Sequence, residues 1–233
     1  MSGAKLTLAF DIYGTLVDPI GMEVHLEPFF GSQAKKTSEM WREKQIEYSF
    51  RRALMERYVD FDACTAQALA YVSAMMGVAL SAADQQTLLA QYRSLPPFPD
   101  AGAALAQLEA RGYDLVAFSN GTENAVRDLL QQAGLLDRFQ MVVSVDDVQS
   151  FKPDPVVYAY LVQRVPGPSS SVWLISSNTF DVIGAKSYGL RSVWVRRDER
   201  RIFDRWEFSP DLVIGSLLDL PSALDRYLGS NQP

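Results

Sequence analysis

The chain has 233 residues, 48% of them hydrophobic, and a formal net charge of −6. That length and apolar content suit one large core, or a core with a smaller satellite domain, and exclude a disordered chain. The acidic balance excludes a nucleic-acid footprint, which needs clustered Lys and Arg, and the single cysteine, Cys64, excludes an intramolecular disulfide and a thiolate zinc site.

The first ten residues, MSGAKLTLAF, carry a lone lysine and a short apolar run, so neither a secretory signal nor a membrane span is expected and a reducing, cytoplasmic setting is. Strand-like runs follow at Leu6 to Phe10, Asp114 to Ser119, Met141 to Val145, Val172 to Ser176 and Arg191 to Val195. Each is too continuously apolar for a half-exposed strand and reads as a parallel strand covered on both faces. Helical stretches alternate with them: Ala101 to Arg111 before Gly112, Thr122 to Ala133 before Gly134, Asp154 to Arg164, and Thr179 to Tyr188 before Gly189. This alternation predicts an α/β fold, a doubly wound, Rossmann-like parallel sheet.

Residues 18–98 break the rhythm, with several helical patterns and no strand, and end in the breaker-rich SLPPFPDAG of residues 94–102. The expected organisation is an α/β core of residues 1–17 and 99–233 with a helical cap domain, residues 18–98, inserted after the first strand. Ligands of open α/β sheets bind at the carboxyl ends of the strands, where such a lid would cover them. His25, the only histidine, is read as a loop residue of the cap, and no GxSxG elbow supports a Ser-His-Asp triad. Arg196, Arg197, Arg200, Arg201 and Arg205 are interleaved with Asp198, Glu199 and Asp204 and read as a solvated loop.

Four polar clusters lie beyond the strand runs: DIYGT at 11–15, SNGT at 119–122, FKP at 151–153 and SSNTFD at 176–181. Singly each has a plain structural reading as a turn, cap or surface lysine. Together they would converge on one sheet edge and place a carboxylate, an ammonium and several hydroxyl and amide donors in one cleft. That set suggests covalent catalysis with Asp11 as nucleophile, Lys152 holding it ionised and aimed, and Asp181 activating water; two carboxylates so placed need the cation, because each otherwise raises the other's pKa. In the helical region Arg42 shares an i+4 stripe with Ile46, Phe50 and Leu54, either as a functional cation on an apolar face or as an arginine snorkelling off the helix end.

In order, and across essentially the whole chain, these clusters resemble all four motifs of the haloacid dehalogenase superfamily. Most of its members are magnesium-dependent phosphatases with a second aspartate two residues after the nucleophile and another in the last motif; here Tyr13 and Ser177 occupy those positions. Loss of a carboxylate weakens a magnesium site. The general acid that a phosphate ester's alkoxide leaving group requires is missing too, whereas a halide leaves without one.

Both departures resemble the L-2-haloacid dehalogenase branch, whose pattern looks like DxYGT, SNG, KP and SSNxxD, and the stretch WREKQIEYSFRRALMERYVDF, residues 41–61, is similar as well. The resemblance implies a hydrolase that converts short L-2-haloalkanoic acids to D-2-hydroxy acids and halide through an aspartyl ester, with no metal or other cofactor. In that scheme Asp11 is the nucleophile, held by Thr15, Ser176 and Lys152. Ser119 and the backbone N–H groups of Ile12 and Tyr13 take the substrate carboxylate; Arg42, Asn120 and Phe180 cradle the halide; Asn178 and Asp181 position and activate water. Tyr158 matches a further site residue, although it reads nearly as well as a helix-packing aromatic, and Tyr13 lines the pocket wall. Partners implied are the haloacid, halide and a second copy of the chain as a homodimer. The alternatives are a magnesium-dependent phosphatase acting on a small phosphorylated metabolite and a non-catalytic anion-binding relative.

Overall fold

The computed structural model describes residues 5–230. Six strands form one parallel sheet in the order β3-β2-β1-β4-β5-β6: β1 (Thr7–Phe10), β2 (Asp114–Ser119), β3 (Met141–Ser144), β4 (Val172–Ser176), β5 (Arg191–Val195) and β6 (Leu212–Ile214). The sheet is the expected doubly wound one. Strand β1 is central, hydrogen-bonded to β2 and β4 and buried at every position, which is why its run is uninterrupted by polar residues. The edge strand β6 was not expected; it has three residues, of which Val213 is exposed, too short and too mixed to register as an apolar run.

Between β1 and β2 lie α1 (Glu23–Phe30), α2 (Ala34–Leu54), α3 (Phe61–Met75), α4 (Ala82–Tyr92) and α5 (Ala101–Ala110). Helices α6 (Glu123–Gln132), α7 (Pro155–Arg164) and α8 (Thr179–Tyr188) connect the later strands, and α9 (Leu220–Ser230) comes after β6. No helix of the described residues is long and apolar enough to cross a membrane. The chain leaves β1 and returns toward α5 along one seam: Asp18 N–H donates to the Pro96 carbonyl at 3.1 Å, Phe98 N–H donates to the Leu16 carbonyl at 2.8 Å, and Val17 and Pro97 form an antiparallel bridge.

Three local expectations are corrected. His25 is not a loop residue but an exposed position of α1. The arginine run is not wholly solvated, because the Arg197 side chain is only 13% exposed and is paired with Asp100. In α2, the stripe of Ile46, Phe50 and Leu54 is not the buried face: Leu54 is 87% exposed, and the buried positions are Ala34, Thr37, Ser38, Trp41, Gln45 and Ser49. That face is partly polar because its polar atoms are bonded, Trp41 Nε1 to the Thr65 carbonyl at 2.9 Å and Ser49 Oγ to the Ile46 carbonyl at 2.8 Å. Burial without loss of hydrogen bonds costs little, so apolarity alone pointed to the wrong face.

Candidate active site

The backbone of Asp11 continues β1 by one bond, donating to the Ile175 carbonyl at 3.0 Å, and then turns sharply, with the Ile12 carbonyl accepting from the N–H groups of Thr15, Leu16 and Val17. Gly14 makes the turn possible with φ +89°, and a side chain there would press on Ser177 Oγ. The result fixes the Asp11 carboxylate at the end of the central strand. Its Oδ2 accepts from Thr15 Oγ1 at 2.8 Å, Asn178 Nδ2 at 2.7 Å and Ser176 Oγ at 3.2 Å, while Oδ1 accepts from Lys152 Nζ at 3.1 Å. Thr15 Oγ1 is itself oriented by accepting from the Ser177 N–H at 2.8 Å.

Lys152 is buried, and its ammonium donates to three acceptors: Asp11 Oδ1, Asp181 Oδ2 at 2.8 Å and the Phe118 carbonyl at 2.9 Å. With three donors and three acceptors the group is saturated, and it also lies 4.2 Å from the centre of the Phe118 ring. Asp181 is fully buried, and its Oδ1 accepts from Tyr158 Oη at 2.8 Å. Desolvation is the largest influence on Asp181; with the nearby Asp11 charge adding to it and Lys152 opposing, its pKa is pushed up to about 6. Burial and the Asp181 charge push the Tyr158 phenol far above its ordinary range, so it acts as a donor.

Gly184, one turn beyond Asp181 on α8, lets Tyr158 reach this carboxylate, since a Cβ at 184 would lie 2.7 Å from Pro153 Cβ and 2.8 Å from Tyr158 Cε2. Substituting Gly184→Ala is therefore expected to displace Tyr158 from Asp181 and destabilise the fold by about 1–3 kcal/mol through overpacking. Thermal unfolding checks this, and an unchanged midpoint would show that α7 and α8 separate freely.

From α2, Arg42 reaches across to the loop after Asp11, Nη2 donating to the Tyr13 carbonyl at 3.1 Å, while Nη1 donates to Gln45 Oε1 at 2.7 Å. Asn178 Nδ2 donates to the same Tyr13 carbonyl at 2.9 Å. The Tyr13 ring is buried against Phe61 and Tyr92. A Cβ built on Gly121 would stand 3.5 Å from Tyr13 Oη and 3.6 Å from Ser119 Oγ, so both hydroxyls flank one stretch of backbone. Asn120 Oδ1 accepts from the Lys152 N–H at 3.0 Å.

Phe180 sits apart from this group: it meets Phe50 of α2 edge-on at 5.0 Å between ring centres and helps line an apolar cavity of about 690 Å³ with Phe151, Ile183 and Trp206. The structure thus joins Asp11, Thr15, Lys152, Tyr158, Ser176, Asn178 and Asp181 in one bonded cluster. Arg42, Tyr13 and Asn120 attach to it, Ile12 forms the turn, Ser119 ends β2 with its Oγ accepting from the Gly121 N–H at 3.1 Å, and Phe180 lies at the seam with α2.

The model of the haloacid dehalogenase-like hydrolases matches residues 6–189. The chain belongs to that family. Among curated relatives, this hydrolase is 35% identical to the (S)-2-haloacid dehalogenase of Pseudomonas sp. (strain YL), covering 90% of each chain. It is 37% identical to the (S)-2-haloacid dehalogenase of Xanthobacter autotrophicus, covering 96% of each. A solved L-2-haloacid dehalogenase of Xanthobacter autotrophicus with chloropropionic acid covalently bound superposes with a TM-score of 0.89 at 31% identity, over 95% of this chain and 98% of that one.

Two supports of this hydrolase's site were not foreseen in the sequence. Gln45 is fully buried and holds Arg42, with its Oε1 also accepting from Tyr92 Oη at 2.9 Å; its place three residues after an arginine on the same helix was the available signal. Gly184 left no signal, because what it spares is a clash with a distant helix.

Proposed function

We propose that this chain hydrolyses short L-2-haloalkanoic acids to D-2-hydroxyalkanoic acids and halide without a metal, with residues 18–98 acting as a cap over a core of residues 1–17 and 99–233. The carrying observation is the unequal treatment of the two Asp11 oxygens: three donors hold Oδ2, while Oδ1 accepts from Lys152 alone among the described residues. Oδ1 keeps lone pairs for in-line attack on the α-carbon. The carbon–halogen bond breaks as the carbon–oxygen bond forms, and the halide departs with its electron pair toward Arg42 and Asn120, with Phe180 at the edge of that path.

Oδ2 then becomes the ester carbonyl. When water adds at the acyl carbon, the charge that develops on Oδ2 meets Thr15, Ser176 and Asn178, donors already in place. Water's oxygen enters the restored carboxylate, one proton passes to the alkoxide of the 2-hydroxy acid, and the second is released through Asp181. Because the attacked carbon inverts, an L-halide gives a D-alcohol. Ser119 and the N–H groups of Ile12 and Tyr13 are assigned to the substrate carboxylate, and Tyr158 keeps Asp181 in place.

Tyr13 and Ser177 stand against magnesium phosphatase chemistry. The Tyr13 side chain is enclosed by aromatic rings and offers no carboxylate, and Ser177 Oγ donates to the Gly14 carbonyl at 2.6 Å. The related (S)-2-haloacid dehalogenases support the carbon–halide reading. The same reading extends to a cytoplasmic homodimer, on the strength of the family resemblance.

The test is halide release from each enantiomer of 2-chloropropionate in excess EDTA. Release from the L form only, with D-lactate as product, is expected. No release, with phosphatase activity appearing on addition of magnesium, would overturn the reading.

A further inference from the structure

Arg197 touches none of the hydrogen-bond donors to the Asp11 carboxylate, yet it is bonded to the backbone of the residue that carries one of them, Thr15. It lies two residues beyond β5. Its Nη1 donates to both carboxylate oxygens of Asp100 at 2.8 and 2.7 Å, and its Nη2 donates to the Thr15 carbonyl at 2.6 Å. The guanidinium carbon lies 4.1 Å from the centre of the Phe98 ring. Asp100 also accepts from Ser216 Oγ at 2.7 Å and the Leu217 N–H at 2.8 Å. Burial raises the Asp100 pKa, but the bonds from Arg197, Ser216 and Leu217 outweigh it and leave the carboxyl below its ordinary range.

The position matters because Thr15 and Phe98 belong to the two segments that cross between sheet and helical layer, and these are bonded to each other through Leu16 and Pro96. One arginine therefore stacks on the returning segment, holds the outgoing one by its carbonyl, and is anchored through Asp100 to the turn after β6. Arg197 Nε is buried with no acceptor, which indicates that the pose is set by the acceptors at the other end of the guanidinium. A planar fork can serve a carboxylate and a carbonyl together; a lysine ammonium cannot match that geometry.

We propose that Arg197, anchored by Asp100, is a positioning residue that fixes the Thr15 backbone and thereby keeps the Thr15 hydroxyl aimed at Asp11. The role rests on the proposed reaction, in which that hydroxyl holds Oδ2. Arg197→Met is expected to lower kcat for L-2-chloropropionate by about tenfold or more with KM nearly unchanged, since small displacements of reacting groups cost that much. Asp100→Asn, which keeps the shape but removes the ionic anchor, should act in the same direction.

A mere stabilising contact would slow every background equally, whereas a residue acting through the Thr15 hydroxyl loses its influence once that hydroxyl is gone. In a Thr15→Ala background, Arg197→Met should therefore add less than about a twofold loss. Amide exchange of residues 14–18, read on the free protein without substrate, should quicken by about tenfold in either variant.

Losses that multiply across the cycle, a wild-type kcat in Arg197→Met, or unchanged exchange at 14–18 would each overturn the proposal. If Arg197→Met does not fold, Asp100→Asn supplies the same three readouts. An absence of halide release from the wild-type protein would count against the reaction itself, and the exchange measurement would then decide the clamp.

Discussion

Replacing Asp11 with asparagine is expected to lower halide release by about 10⁴-fold or more, the scale of losing a covalent nucleophile, without unfolding the protein. Asparagine is nearly isosteric, but its amide carries no charge and is a poor nucleophile, and one of its two terminal atoms becomes a donor where the site already supplies donors. Thr15, Ser176, Asn178 and Lys152 all point hydrogens at this group, so the variant carries a local mismatch. Against that, the substitution removes a negative charge that raises the pKa of Asp181, and Lys152 retains Asp181 as its counter-ion. The two effects oppose, and the net change in stability should fall within about 1–2 kcal/mol, the usual range for a single polar substitution. Two measurements check the chemistry together. Quenching the wild-type enzyme during turnover should leave the substrate's 1-carboxyalkyl fragment, ester-linked, on the peptide that contains Asp11, and the variant's peptide should stay unmodified. Residual turnover above about one per cent, well outside the loss set by a missing nucleophile, would mean that another group attacks the α-carbon.

The main outline of this architecture could be read before the structure because parallel strands buried on both faces leave a plain apolar signature, and because a doubly wound sheet gathers the loops at its carboxyl strand ends along one edge. Asp11, Ser119, Lys152 and Ser176 are far apart in sequence but lie beyond, or at the end of, strands of one sheet, so their convergence was a consequence of topology. The features that escaped depend on side-chain packing between distant segments. Arg197 and Thr15 are separated by 182 positions, and nothing in the run of charges around 196–205 marks Arg197 as the arginine whose side chain turns inward to Asp100. The stripe in α2 failed for a related reason: Gln45 and Ser49 are buried because bonds await them, and that is invisible to a reading based on apolar periodicity. Strand β6 and helix α9 lie past the last motif; with three residues, β6 pairs on one side only, with β5.

Replacing Lys152 with methionine should cost both rate and stability, and the stability loss should depend on pH. The ammonium is 1% exposed and separates two carboxylates that are themselves 9% and 0% exposed. Removing one partner of a buried ionic cluster costs about 3–5 kcal/mol, because the remaining charges lose their compensation. Methionine fills most of the volume, so the cost is electrostatic rather than a cavity. The cluster can relieve part of it by binding a proton at Asp181, whose pKa already lies near 6 against an ordinary 3.8. A carboxyl with a higher pKa in the folded than in the unfolded state binds more protons when folded, so its contribution is fully present below the unfolded value and is lost as pH rises through the folded one. Lys152 lowers the Asp181 pKa; without it the folded value moves up and the window of loss extends toward neutral pH. Urea unfolding should therefore show the variant most weakened near pH 8 and partly recovered near pH 5. Halide release should fall by about 10²–10³-fold or more, the scale found when one preorganised donor is removed from a reacting oxygen, and lowering the pH should not restore it, since a proton on Asp181 relieves the charge without replacing the Lys152 hydrogen bond to Asp11 Oδ1. A stability loss that is the same at both pH values would show that Lys152 serves packing rather than charge. Turnover near the wild-type rate would separate the lysine from the aim of Asp11.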